Sequence, residues 1–305
     1  MPEGQVSHRN ALRSGAALTG RPLVRAEAPE PRLRDHRIPE RLLGDRVTAA
    51  EAVGKHHLLR FASGRVLHSH LMMSGVWRLL PATREPRPGG LTLALWTDDH
   101  VAALYRCPSV GLREPGDPLP RGLRATGPDL LDAAVDPAAA TAAALARIEP
   151  TREVGEALMD QRVVAGIGNV YKSETCFLTG IDPWRPVGGL SEEEAAALGA
   201  TAARLLGEGV RDAGRIRTYR PPDAPPWSRE HTWVYGRRGR PCAPATSDTS
   251  VRPPPAASTA KGSAIIVMRS PMTDSAWPQN SRRNCGSSRR TAGMRSRVIG
   301  GGGRA

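Results

Sequence analysis

Cysteine is scarce in this chain of 305 residues: four thiols, Cys107, Cys176, Cys242 and Cys285, lie far apart. That spacing excludes a disulfide framework and fits a reducing compartment. The amino terminus, MPEGQVSHRNALRSGAAL, has no apolar stretch of the kind a secretory leader needs, so export is not expected. Long hydrophobic runs are missing too. The apolar stretch AIIVM near the carboxyl end falls far short of the roughly 20 residues a membrane-spanning helix requires. No membrane partner is expected.

What is present in quantity is positive charge, +13 in total. It is unevenly spread. Residues 243–305 hold ten Lys or Arg side chains against Asp248 and Asp274, which accounts for +8 and leaves +5 for residues 1–242. The body is only moderately basic, so charge alone does not identify a nucleic-acid partner.

Residues 3–19 read as a helix, with apolar Val6, Ala11, Leu12, Ala16, Ala17 and Leu18. Residues 22–105 change character: RPLVRAEA, RVTAAEAV, HHLLRFA, RVLHSHLMM, GVWRLL, LTLALWT and HVAALYR are short β-compatible runs punctuated by Gly, Pro, Asp and Ser. Such spacing predicts a β-sandwich or barrel. From about residue 127 the pattern turns helical. GPDLLDAAVDPAAATAAALARI offers two helix starts, EVGEALMDQ is amphipathic, and SEEEAAALGATAARLLGEGV is a helix capped by Ser191, with three glutamates in its first turn and a glycine at its end. Residues 215–230 form a Pro-rich loop, and HTWVYGRRGRPC begins a hairpin. Residues 243–305, rich in Ala, Pro, Ser, Thr and Arg, are too poor in apolar periodicity to offset their ordering entropy and are expected to be disordered. Strands first and helices second make an α+β chain: an N-terminal β-sandwich with a leading helix over 1–120, a helical domain over 121–230 and a remainder over 231–305.

Two short stretches carry chemistry. Pro2 and Glu3 admit two readings. Pro suits the first position of a helix and Glu its first turn. Alternatively, removal of Met1 leaves Pro2 as a terminal secondary amine. An α-amino group ionises near pKa 8, so a fraction is free at neutral pH to form an iminium, with Glu3 beside it to move the proton. The second stretch, QRVVAGIGNVYKSETCFLTGIDPW, places GIGN between helical segments. Gly166 and Gly168 either pack a helical corner or let the backbone amides and the Asn169 amide approach a phosphate.

Taken together, MPEG and DQRVVAGIGNVYKSE resemble the formamidopyrimidine-DNA glycosylase / endonuclease VIII family over roughly residues 1–242. The resemblance implies a helix-two-turn-helix motif in the helical domain, Pro2 as nucleophile, Glu3 as acid–base residue, and Gly168 and Asn169 in the turn that holds a DNA phosphate. It further implies that Lys55, in GKHHLLRF, contacts phosphate and the catalytic proline; without it, Lys55 reads as a solvated strand residue. HSHLMMSGVW resembles the family's H-L-x-M-x-G loop, which assigns Met73 to the gap left by the damaged base, while Met72 suits a core position. LYRCPSVGL departs from the arginine–phenylalanine–glycine motif of the formamidopyrimidine branch. That departure, with the WVYGRRGRPC ending, is closer to an actinobacterial endonuclease VIII.

The implied activity is base-excision repair: a bifunctional DNA glycosylase and DNA-(apurinic or apyrimidinic site) lyase acting on oxidised bases, chiefly pyrimidines. The implied partner is damaged double-stranded DNA, met by a monomer in the nucleoid of a bacterial cytoplasm. No cofactor is expected for the chemistry. The family's finger needs two CxxC pairs for tetrahedral zinc, whereas Cys242 is followed by CAPA and Cys285 stands alone, so zinc is not expected and Cys242 is a remnant ligand. Ala-Pro-Ala-Thr-Ser-Asp after Cys242 can be read, in a shifted frame, as Pro-Cys-Asp-Val-Gly. Residues 243–305 are therefore expected to be an out-of-frame translation, which the nucleotide sequence decides. The alternative function is a damaged-DNA-binding protein with impaired catalysis, the finger being lost.

Overall fold

A computed structural model describes residues 2–212, 216–221, 228, 231–238 and 242. Helix α1 (Gly4–Leu18) leads, followed by strand β1 (Arg25–Glu27) and two short helices, α2 (Pro31–Asp35) and α3 (Ile38–Leu42). Strands β2 (Val47–Val53), β3 (His56–Phe61), β4 (Val66–His70), β5 (Val76–Pro81), β6 (Leu91–Trp96), β7 (His100–Tyr105) and β8 (Ser109–Arg113) come next. The helical half holds α4 (Arg121–Arg124), α5 (Pro137–Leu145), α6 (Val154–Met159), α7 (Asn169–Thr179) and α8 (Glu192–Arg211).

The strands form two antiparallel four-stranded sheets, ordered β1-β6-β7-β5 and β2-β3-β4-β8. Alternation along each strand sends one face inward. Leu59 and Phe61 of β3 and Leu67 of β4 meet Leu93 and Leu95 of β6 and Leu104 of β7 in a shared core. Each such leucine contributes about 1.5–3 kcal/mol relative to an exposed one. A second core fills the helical half, with Leu158, Val164, Ile167, Tyr171, Leu198 and Leu205 fully enclosed. Helix α1 packs on β2 and β3 on one side and on α8 on the other. Its inward face is accordingly mixed, burying Gln5, Ser7, Asn10 and Ser14 beside Ala17 and Leu18.

The architecture matches the α+β expectation, and several local readings need correction. Between the first two β-compatible runs lie two short helices with a proline at the first or second position, and five residues are too few to show a helical period. Strand β8 follows the last β-compatible run and pairs along β4, from Val66↔Arg113 to His70↔Ser109. Only one of the two helix starts after residue 127 is used, at Asp136, which caps α5 by accepting from the Ala138 and Ala139 amides. Residues 127–129 pair elsewhere instead, Gly127 N donating to Gln161 O and Pro128 O accepting from Ala165 N. Helix α8 has the expected Ser191–Glu194 capping box but runs through Gly209 to Arg211. Gly209 is a packing position: a Cβ there would lie 2.1 Å from the Tyr171 hydroxyl. Residues 231–238 contain turns and bends and no strand, so the hairpin expected there does not begin within that stretch. The tail 243–305 lies outside them. Among the described residues no helix is long and apolar enough to cross a membrane.

Candidate active site

Pro2 is not the first residue of a helix. Helix α1 begins at Gly4 with Glu3 as its cap residue, and the Glu3 side chain makes no bond to its own helix. The carboxylate reaches the start of α7 instead. Its Oε2 accepts from Gly168 N at 2.8 Å and Tyr171 N at 3.3 Å, and its Oε1 from Val170 N at 2.8 Å. The first amides of a helix have no intrahelical acceptor and carry the positive end of its dipole, so a carboxylate satisfies both. Glu3 has 0% of its surface exposed. Burial pushes its carboxyl above the usual range, against the Lys55 charge and the three amide donors, which pull it down. A carboxyl held between opposing influences of this kind is suited to proton transfer.

Glycines make the approach possible. A Cβ at Gly168 would lie 2.4 Å from Glu3 Cδ, and one at Gly4 would lie 2.6 Å from Gly166 Cα. Gly166 has φ +99°, a conformation that favours glycine. Gly4 N donates to Gly166 O at 2.8 Å, fastening the amino-terminal segment to this loop. Gln161 braces it from behind: its Nε2 donates to Ile167 O and Met159 O, and its Oε1 accepts from Gly166 N.

Lys55 completes the group. It is half-buried in the two-residue turn between β2 and β3, where Gly54 takes φ +55°, as the first position of a tight hairpin turn favours. Burial lowers its ammonium pKa, and the Glu3 carboxylate opposes that shift. The turn is pinned by Asp129, whose Oδ2 accepts from Gly54 N at 2.7 Å and pairs with His8 Nε2 at 2.9 Å. A carboxylate only accepts, so His8 Nε2 carries the proton. Burial pushes the Asp129 carboxyl up, but the His8 contact and the Gly54 and Leu131 amides outweigh it, leaving it low. Asp129 thus joins α1, the Lys55 turn and the loop before α7.

This geometry has relatives. Residues 1–108 match the formamidopyrimidine-DNA glycosylase N-terminal domain, and residues 127–220 match the H2TH domain of the same enzyme. The chain is 39% identical over 256 residues to a probable endonuclease 8 2 of Streptomyces coelicolor, a match covering 83% of this chain and 87% of that one. It is 33% identical over 242 residues to a DNA-(apurinic or apyrimidinic site) lyase of Mycolicibacterium smegmatis, covering 79% and 89%. Among solved structures, Lactococcus lactis formamidopyrimidine-DNA glycosylase bound to DNA with an AP site superposes with a TM-score of 0.60, covering 68% of this chain and 81% of that one at 22% identity, a likeness of fold.

The chain belongs to the formamidopyrimidine-DNA glycosylase family.

Against the family pattern, the structure brings Glu3, Gly168 and Asn169 to one junction and sets Lys55 within electrostatic reach of it. Pro2, half-buried, precedes Glu3 directly. Asn169 is the first residue of α7 and is buried. Gly168, expected in the phosphate-holding turn, is buried and its own amide donates to Glu3. Met73 is apart from this junction, in the turn between β4 and β5, and is 66% exposed. Met72 is exposed as well rather than in the core, with φ +50° and its amide donating to His70 Nδ1. The loop between β7 and β8 also carries a left-handed residue, Arg106 at φ +45°, and Ser74 Oγ donates to its carbonyl.

The donors for the family's zinc do not fit. Cys242 is an exposed free cysteine, and among the described residues no three His, Cys, Asp or Glu side chains gather to hold an ion. Beyond it the sequence offers a single further cysteine, Cys285. Sequence reasoning missed Asp129, His8 and Gln161. Gln161 stood inside the DQRVVAGIGN motif, whereas Asp129 and His8 act across long chain separations that leave no local signal.

Proposed function

We propose that this chain is a bifunctional enzyme of base-excision repair: a DNA glycosylase that removes an oxidised base, chiefly a pyrimidine, and a lyase that cuts the strand at the resulting apurinic or apyrimidinic site. One observation carries the reading: the Glu3 carboxylate, one residue from a terminal proline, is buried on the amides of α7 beside the Lys55 ammonium. The pyrimidine preference is supported by the endonuclease 8 relatives.

Removal of Met1 frees the Pro2 amine. Duplex DNA is gripped by phosphate contacts, Asn169 among them, and the damaged base is extruded at a cost of a few kcal/mol. Met73 fills the space it leaves. The Pro2 nitrogen attacks sugar C1′ and the bond from C1′ to the base breaks. Glu3 donates its proton to the sugar ring oxygen as the ring opens, leaving an iminium between Pro2 and C1′. The iminium acidifies the neighbouring carbon, so the 3′ phosphate departs by β-elimination and the 5′ phosphate by δ-elimination. Lys55 stabilises phosphate and helps keep the Pro2 amine unprotonated by like-charge repulsion. No step runs through zinc, and the enzyme acts as a monomer.

A second reading has one observation in its favour. The missing cysteine set removes a phosphate clamp at the lesion, and charge-assisted contacts of that kind contribute about 1.5–3 kcal/mol each. On that reading the chain binds damaged DNA with little catalysis. End-labelled duplexes carrying an oxidised pyrimidine, an oxidised purine or an abasic site separate the two. The proposed enzyme cuts the first and third and leaves phosphate at both new ends. Intact strands with retained binding favour the second reading, and faster cutting of the oxidised purine removes the pyrimidine preference.

A further inference from the structure

The last described stretch of chain is fastened without a metal. Glu174, two turns into α7, has 0% of its surface exposed. Its Oε2 accepts from Trp233 N at 2.7 Å and from the Thr218 hydroxyl; its Oε1 accepts from Val234 N at 2.9 Å and Tyr235 N at 2.8 Å. Three consecutive backbone amides converge on one carboxylate, and with the hydroxyl they match its lone-pair capacity. Successive amides aimed at one point make a concavity for an anion; here the anion is a side chain of the neighbouring helix.

The surrounding contacts make residues 231–235 a docked strap. Trp233 Nε1 donates to Thr218 O at 2.9 Å, and the Thr218 and Tyr219 amides donate to His231 O at 2.8 and 3.1 Å. The Trp233 ring lies 4.4 Å from that of Tyr219 and 6.3 Å from that of Phe177, and it is buried in the helical core. Glu174 follows Val170 and Tyr171, two of the three residues whose amides hold Glu3, by four and three positions, so it lies about one turn along α7 from the Glu3-binding amides. Burial first, and then the Glu3 charge, push the Tyr235 phenol upward.

We propose that Glu174 is a positioning residue of the active site: by holding the amides of Trp233, Val234 and Tyr235 it docks the strap on α7 and steadies the helix whose first amides hold Glu3. This rests on the enzymatic reading above.

The test uses the full chain and duplex DNA with one abasic site. Glu174→Gln keeps the volume but offers one acceptor oxygen and turns an NH2 toward the amides. Amide exchange at residues 233–235 is expected to accelerate about tenfold or more as the clasp opens. The single-turnover cleavage rate at saturating DNA is expected to fall about tenfold with half-saturation nearly unchanged, the signature of lost positioning. Tyr235→Ala, which keeps the backbone amide and so the clasp, is expected to leave the saturated rate close to the parent's. A wild-type saturated rate or unchanged amide exchange in Glu174→Gln, with the parent chain active, overturns the proposal alone. If the parent chain neither cleaves the site nor forms a borohydride-trapped adduct, the enzymatic reading fails and takes the proposal with it.

Discussion

Glu3 and Met73 are held in opposite ways. Glu3 is enclosed, its oxygens committed to three amides of another helix and its entry shaped by glycines. Met73 stands out in a turn fastened by Gly75 N to Leu71 O and by the Met72 amide to His70. The contrast fits the two tasks proposed for them. A group that must hold a particular protonation state needs burial and fixed neighbours, because those set its pKa. A group that enters a duplex must stand in water beforehand, apolar, on a short stiff turn.

Breaking the buried side of this comparison has the largest expected effect. Glu3→Gln keeps the side-chain volume but turns an NH2 toward amides that need an acceptor, so it should cost some stability and slow base excision about 10²- to 10⁴-fold. Because the carboxyl is raised above its usual range, it keeps its proton to higher pH and loses it as pH rises through that value. Wild-type excision should therefore fall on that limb, and the variant's pH profile should lack it. Single-turnover rates across pH check both; a variant that retains the limb contradicts the assignment. Gly168→Ala breaks the same site without touching a reactive atom. Its Cβ collides with Glu3 Cδ, so either Glu3 or α7 must shift. We expect a loss of about 1–3 kcal/mol in stability and of about 10²-fold in rate, as displacement of about 1 Å produces. Denaturant unfolding and the same kinetic assay report them.

Asp129→Asn is a milder disturbance. It removes the charge that pairs with His8 and weakens the anchor of the Lys55 turn, for an expected loss of about 1.5–3 kcal/mol and a slower cleavage step, with DNA affinity for undamaged duplex little changed. A further stability effect comes from the imidazoles on β3 and β4. Burial first, and neighbouring cations second, push His56 down to about 3 and His57 and His68 to about 4. The unfolded chain protonates them near 6.5, the ordinary value for histidine, so it binds more protons than the fold as pH falls. Stability is full above that value and should drop by about 1 kcal/mol or more per pH unit on the way down to 4, read from urea midpoints at successive pH. A flat profile over that window would show that these imidazoles titrate freely. The smallest effect on the fold belongs to Met73→Ala, within about 0.5 kcal/mol. It should slow removal of a paired damaged base more than cleavage at a ready abasic site, and equal slowing of both would remove Met73 from base extrusion.

How much of this was legible depended on distance along the chain. The α8 cap was readable because Ser191 and Glu194 satisfy each other within one turn. The leading helix and the β-runs announced themselves by period. The GIGN glycines were visible, but not the reason for Gly168, which is the bulk of a carboxylate from residue 3. Asp129 and Glu174 were invisible for the same reason: their partners, Gly54 and residues 233–235, are remote in sequence, and a buried acid reads like any surface acid until its donors are placed. The failed helix start near residue 128 shows tertiary pairing overriding local propensity, since Pro128 and Asp129 bridge to Ala165 and to Gly54.

The most direct test of the central claim is covalent capture. The full chain is incubated with duplex DNA carrying one abasic site, reduced with borohydride, digested, and the adducted peptide identified by mass. The account predicts the sugar remnant on the nitrogen of Pro2, with Met1 absent. An adduct on Lys55 or another lysine, or no adduct from a chain that nevertheless cuts the strand, would contradict it.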